Sequence, residues 1–385
     1  MHFNIKFIYL FIILTSCSSD DIVQYFEYPD HNVLNIGAQL TDLHITNDSN
    51  TLIVADKGNN RVIFIDTMNP KMTIKKSIWV GSEPTTLEIT DDEKYLLVGL
   101  QGASNICLIG LEELTVLGYM ELDEDGVFDL EFVSSKQQII VSFFSSQPSD
   151  NKTKIYGWNP INIDTGELNL ILDNDLTYNE ITTAGYIALS ENEDFLYVID
   201  KYEGSPYNLL RYSITDDGFV PFTIIESSNI ADVPITLYDL EYIPEFGIAV
   251  AMGGTDLIDG NPLDHAPIYA LDNLTHIANL DLGSTPIALA YDPMGQHIYI
   301  SPTDVDDNGM FIVEFSMETM LQTNYYQVAG ILGSHSLIVD PQGEFIYAVV
   351  DDLSDQDTHE PYNGNSFNIQ KIEITPEGTF PINNF

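Results

Sequence analysis

One pattern of apolar and polar positions recurs along the chain. A short alternating stretch is followed by a polar turn, and a second, more apolar stretch begins nine residues after the first. The first copy is Leu43-His44-Ile45 with Leu52-Ile53-Val54. The pattern returns as Leu87-Glu88-Ile89 with Leu96-Leu97-Val98, Leu130-Glu131-Phe132 with Ile139-Ile140-Val141, and Ile187-Ala188-Leu189 with Leu196-Tyr197-Val198. Leu240-Glu241-Tyr242 with Ile248-Ala249-Val250 is one residue shorter. Leu289-Ala290-Tyr291 with Ile298-Tyr299-Ile300 and Leu337-Ile338-Val339 with Ile346-Tyr347-Ala348 complete the set. Alternation followed by a short apolar run, with a polar turn between, predicts paired β-strands. Asp292-Pro293-Met294-Gly295 and Asp340-Pro341-Gln342-Gly343 carry Pro and Gly where tight turns favour them. Asn47-Asp48-Ser49-Asn50 and Thr90-Asp91-Asp92-Glu93 do the same with polar residues.

The seven copies start 44, 43, 57, 53, 49 and 48 residues apart. Units of four strands at periods of about 40 to 50 residues are the mark of propeller blades. The expectation is therefore an all-β chain, a seven-bladed β-propeller of four-stranded antiparallel blades starting near residues 40, 84, 127, 184, 237, 286 and 334. Val33-Leu34-Asn35-Ile36 precedes the first copy with no blade of its own. Gly37, Gly81 and Gly283 each stand six residues ahead of a copy, so this segment is read as an outermost strand. It would close the ring in the last blade beside Phe367–Ile374, leaving no open sheet edge.

The copies resemble the YVTN and NHL repeats of the WD40-like propeller superfamily. Leu52-Ile53-Val54-Ala55-Asp56-Lys57-Gly58-Asn59-Asn60-Arg61-Val62 is NHL-like. Gly81-Ser82-Glu83-Pro84 and Gly283-Ser284-Thr285-Pro286-Ile287-Ala288-Leu289 are YVTN-like. The resemblance covers roughly residues 33 to 375. It implies a fold and no particular activity, because these motifs are structural. No tryptophan-aspartate signature is present, and Trp79 and Trp158 are the only tryptophans.

The first residues carry a different signal. Lys6 precedes the apolar run Phe7–Leu14, which is too short to span a bilayer but suits a signal-peptide core. Leu14-Thr15-Ser16-Cys17 resembles the lipobox of bacterial lipoproteins, and the serine after the cysteine resembles outer-membrane sorting. The implied organisation is a signal peptide at 1–16, a lipidated tether at 17–31 beginning at Cys17, and a propeller at 32–385. The implied location is the outer membrane, facing the periplasm or the cell surface. With Cys17 lipidated, Cys107 has no disulfide partner, and its apolar setting makes it a small core residue.

Charge narrows the partners. The chain has 59 acidic residues against 13 Lys and Arg. A protein that neutralises phosphates needs clustered cations, so nucleic acid is excluded. The membrane is reached through the N-terminal lipid alone. The acidity reads either as solubility or as attraction for Ca²⁺ or a basic partner.

Candidate chemistry falls on loops between second and third strands, on the face where propeller ligands usually sit. Three long acidic loops, 253–266, 302–309 and 350–366, fall in adjacent blades and contain no Lys or Arg. Asp256, Asp259, Asp264, His265, Asp351, Asp352, Asp355, His359 and Tyr362, with Tyr202 and Tyr207 from an earlier loop, make up the candidate binding face. The tyrosines could stack on sugars, or be ordinary exposed loop residues. Asp304-Val305-Asp306-Asp307-Asn308-Gly309 matches the start of a calcium loop, with Asp304, Asp306 and Asn308 as ligands. Its twelfth position is Phe315, so it is not an EF-hand; the alternative is a solvated acidic turn. No required cofactor and no catalytic residue is indicated. Three readings remain: a non-enzymatic scaffold binding a protein or glycan, a calcium-stabilised interaction or adhesion module, and a propeller-type enzyme such as a lactonase, lyase or glycan hydrolase. The enzyme reading needs a cluster at the channel mouth, for example His335 with Asp129 and Asp239, and fails if these are far apart or buried in packing.

Overall fold

The computed structural model describes residues 32–69, 71–122, 126–144, 153–157, 169–172, 185–200, 208–215, 218–226, 236–253, 264–292, 294–302, 311–330, 332–351 and 367–375. These form an all-β propeller of seven four-stranded antiparallel sheets. The innermost strands, in chain order, are Leu40–Ile45, Pro84–Ile89, Val127–Val133, Gly185–Leu189, Thr236–Ile243, Pro286–Asp292 and Leu332–Val339. Each packs against the innermost strand of the next sheet, and the seventh packs back against the first.

The first six sheets are consecutive in sequence, and the seventh is not. Its inner three strands come from Leu332–Val339, Phe345–Asp351 and Phe367–Glu373, and its outer strand is Asn32–Ala38. Val33 pairs with Gln370 and Leu34 with Ile369, so the first described strand seals the last sheet. Turns reinforce the join: Ser49 Oγ donates to Asp340 Oδ2 at 2.9 Å, and Gln342 Nε2 donates to the Asn47 carbonyl at 3.1 Å.

Burial explains why second strands are the most apolar part of each repeat. Thr51–Asp56 and Tyr95–Leu100 are buried throughout except at their first residue. Each sheet is sandwiched between two others, so both faces of these strands are core, and alternation gives way to a continuous apolar run. Ile53, Phe64 and Val62 of the first sheet pack on Leu87, Val98 and Cys107 of the second. Leu43 and Leu52 pack on Tyr347 and Ile369 of the seventh. Cys107 is a fully buried free thiol, as its apolar setting implied.

The first hairpin turns are made by side chains that copy backbone hydrogen bonds. Thr46 Oγ1 donates to Asp48 Oδ1 and Thr90 Oγ1 to Asp92 Oδ1, and the following Ser49 and Glu93 take positive φ. Gly81 and Gly283 lead into inner strands at φ of 109° and 78°, where a Cβ would be strained.

Candidate functional site at the channel mouth

An innermost strand is paired along one edge only, and its other edge faces the central channel. Unpaired amides there need acceptors. Acidic side chains of the preceding sheet supply them. Asp42 accepts from the amides of Leu43 (2.8 Å) and of Leu87 in the second sheet (2.6 Å). Asp129 accepts from Leu130 (2.9 Å), from Ile187 of the fourth sheet (2.8 Å) and from Thr86 Oγ1 (3.0 Å). Asp239 accepts from Leu240 (2.9 Å) and from Leu289 of the sixth sheet (2.8 Å). All three occupy the residue just before the repeated triplet, beside a β-bulge that turns the strand. At the middle position of the triplet, Glu88, Glu131 and Glu241 accept from the amides of Phe132, Leu189 and Tyr291 in the next sheet.

Six carboxylates therefore share one channel, and the charges acting on them are largely one another's. Burial pushes Asp42 up to about 8, Asp129 to about 6, Asp239 to about 7 and Glu241 to about 8. Glu88 and Glu131 are raised well above the usual range by burial and by mutual repulsion. Asp239 is 3% exposed, whereas the others are half-buried and touched by channel solvent, which tempers their shifts. Burial pushes His44 down to about 4, and its Nε2 lies 3.8 Å from Glu88.

At the end of the channel where inner strands begin, aromatic rings from several sheets meet. Phe128 lies 4.8 Å from Phe144 and 4.9 Å from Tyr186, ring centre to ring centre. Tyr186 lies 4.0 Å from the ring of His335. His335 Nε2 is 3.2 Å from Asp239 Oδ1. In the seventh sheet the strand leaves register between Leu332 and Leu337, a wider break than in the other sheets, and His335 has a φ of 51°. That irregular segment directs His335 of the seventh sheet toward residues of the fourth and fifth. The Ser336 hydroxyl holds it by donating to the Gly333 carbonyl at 2.5 Å.

His335 thus does meet Asp239, as a catalytic cluster required. However, both oxygens of Asp239 and of Asp129 accept main-chain amides. These bonds engage Asp129 and Asp239 in holding sheets together. Among the described residues no group of three or more His, Cys, Asp or Glu could hold a metal ion.

Of the binding-face residues, Asp264, His265 and the backbone of Asp351 are described. Asp264 stands just before the third strand of the fifth sheet, where its carbonyl accepts from Leu282 and Gly283 and its carboxylate lies 3.2 Å from His265 Nδ1. Asp351 ends the second strand of the seventh sheet, opposite Phe367. Cys17, Tyr202, Tyr207, Asp256, Asp259, Asp304, Asp306, Asn308, Asp352, Asp355, His359 and Tyr362 lie outside the described residues. The sequence reading passed over Asp42, Glu88, Glu131 and Glu241. A signal was present: aligned copies show an acid in the middle of the triplet at Glu88, Glu131 and Glu241, and just before it at Asp42, Asp129 and Asp239.

No family model matches the chain, and no curated protein sequence does. Solved structures do. A chain of Kuenenia stuttgartiensis hydrazine synthase superposes with a TM-score of 0.60 at 14% identity, over 86% of this chain and 96% of that one. U3-55K superposes with a TM-score of 0.61 at 15% identity, over 89% and 98%. The chain is a β-propeller. At these identities the likeness carries the fold alone, so function must be argued from the propeller's own residues.

Proposed function

We propose that this propeller is a non-enzymatic binding scaffold for a protein or glycan, seven-bladed with one blade per sheet, and held at the outer membrane by a lipid on Cys17. The observation that carries the scaffold reading is the engagement of Asp42, Asp129 and Asp239 by amides of the next sheet. The most conspicuous acids of the channel serve as ties between sheets, and a rigid ring suits presentation of a face rather than a reaction. Propellers are commonly interaction scaffolds, which favours a macromolecular partner. The anchor reading rests on Leu14-Thr15-Ser16-Cys17.

Affinity capture from outer-membrane extract, alongside a glycan array, tests the scaffold. Specific retention of one protein or one glycan class supports it. Failure of both, together with turnover of a lactone or polysaccharide in an activity panel, overturns it in favour of an enzyme. Cys17→Ser should move the protein from the membrane to the soluble fraction, and unchanged membrane retention would remove the lipid anchor.

A further inference from the structure

Charge is spread unevenly around the ring. Residues 212–370 contain no Lys or Arg, whereas residues 40–80, which make up the first sheet, contain five against four Asp. Three of the five, Lys71, Lys75 and Lys76, lie on or just before the outer strand Thr73–Trp79. Lys57, Arg61 and Lys94 are paired with Glu83, Asp56 and Asp92. Lys71, Lys75 and Lys76 are in no ion pair among the described residues. Lys75 Nζ donates to the Asn50 carbonyl (2.8 Å) and Thr51 Oγ1 (3.0 Å), and Lys76 Nζ to the Glu113 carbonyl (3.2 Å). These bonds fix two ammonium groups without neutralising them. In a chain with 59 acids, three lysines without a carboxylate leave a charge for an anion from outside to meet.

The same edge is apolar. Met68, Ile74 and Trp79 are 71%, 46% and 67% exposed. Ile74 opposes Ile65 and Trp79 opposes Arg61, on the side of the sheet that packs toward the seventh. Lys76 opposes Phe64, on the side that packs toward the second. The outer strand thus carries large apolar groups on one side of its unpaired edge and an ammonium on the other. Single exposed apolar residues are ordinary, but tryptophan and lysine on one exposed edge suit the boundary between lipid headgroups and acyl chains. The chain also enters the ring here. Asn32 pairs with Lys371, whose Nζ donates at 2.7 Å to the carbonyl of Thr67, the residue before Met68. A lipid on Cys17 would deliver the ring to a bilayer by this edge. At physiological ionic strength charges beyond about 8 Å are largely screened, so acids on the far sheets do not oppose the contact.

We infer that the rim of the first sheet, formed by Met68, Ile74 and Trp79 with Lys71, Lys75 and Lys76, rests on an anionic lipid surface. This rests on the lipid-anchor reading and goes beyond it: the ring meets the membrane by a face of its own. It then stands on edge, with both ends of the channel open to a partner.

Flotation with vesicles of equimolar brominated phosphatidylcholine and phosphatidylglycerol tests it, using the full chain with Trp158→Phe so that Trp79 is the sole tryptophan. Trp79 emission should shift to the blue and be quenched by the bromines. Each lysine at an anionic surface is worth about fivefold, so Lys71→Gln, Lys75→Gln and Lys76→Gln together should lower the ratio of docked to undocked ring about a hundredfold. Quenching should then vanish while the melting temperature stays within a few degrees, and it should be absent on brominated phosphatidylcholine alone. A floating chain whose Trp79 is unquenched, or is quenched equally with the three glutamines, overturns the rim contact and leaves the anchor standing. Flotation that survives Cys17→Ser but is lost with the three glutamines removes the anchor and keeps the rim contact. A chain that does not float removes both.

Discussion

Replacing Asp239 by Asn should change how stability depends on pH more than it changes stability itself. Burial lifts Asp239 from 3.8 to about 7, and hydrogen bonds from Leu289, Leu240 and His335 only partly oppose it. A raised carboxyl pKa means that the folded protein holds a proton which the unfolded chain releases. The contribution is fully present below about 4 and is lost as pH rises through about 7. Within that window one extra bound proton is worth about 1.4 kcal/mol per pH unit, or about 4 kcal/mol in all. Domains of ordinary stability have about 5–15 kcal/mol in total, so the term is large enough to see. His44 acts in the opposite sense: burial lowers it from 6.5 to about 4, so its contribution is present above 6.5 and is lost as pH falls through 4. Comparing variant with wild type at each pH cancels His44. Asn keeps the size and one acceptor but turns an amino group toward a main-chain donor, which costs about 1–3 kcal/mol at every pH. Urea unfolding at pH 5, 6, 7 and 8 measures the difference. Between pH 5 and 7 it should move by about 3 kcal/mol in favour of Asp239→Asn. A difference independent of pH, or one moving the other way, would refute the account of Asp239 as a carboxyl whose pKa burial raises.

Three further outcomes follow from the packing. Gly126→Ala would place a Cβ 1.8 Å from the Gln101 carbonyl oxygen, with its carbon at 2.5 Å, so the backbone must move; a loss of about 3 kcal/mol or more is expected in urea melts. Deleting residues 32–38 uncovers the edge of Phe367–Glu373 and opens the ring, which should give concentration-dependent aggregation in light scattering, and a monomer as stable as the parent would argue against closure by this strand. Burial pushes the Cys107 thiol up to about 12, so iodoacetamide at pH 8 should label it only after denaturation, and rapid labelling of the folded protein would contradict its place between the first two sheets.

The hydrophobic pattern by itself determined the architecture. Leu43, Leu87, Leu130, Ile187, Leu240, Leu289 and Leu337 each lie on an innermost strand, and Val33–Ile36 lies within the strand that completes the seventh sheet. Such features are legible because strand pairing is local and a sheet buried on both faces demands a continuous apolar second strand. Tertiary structure alone decided what the acids do. Asp42 and Leu87 stand 45 positions apart, and nothing in either neighbourhood states that the carboxylate of one satisfies the amide of the other. His335 and Tyr186 are farther apart still, and they meet only because a closed ring brings the seventh sheet opposite the fourth. A repeat fixes each sheet from its own residues, whereas the channel belongs to none of them. Its chemistry, from the raised carboxyls to the run of rings, arises from side chains that ring closure puts within a few ångströms of one another.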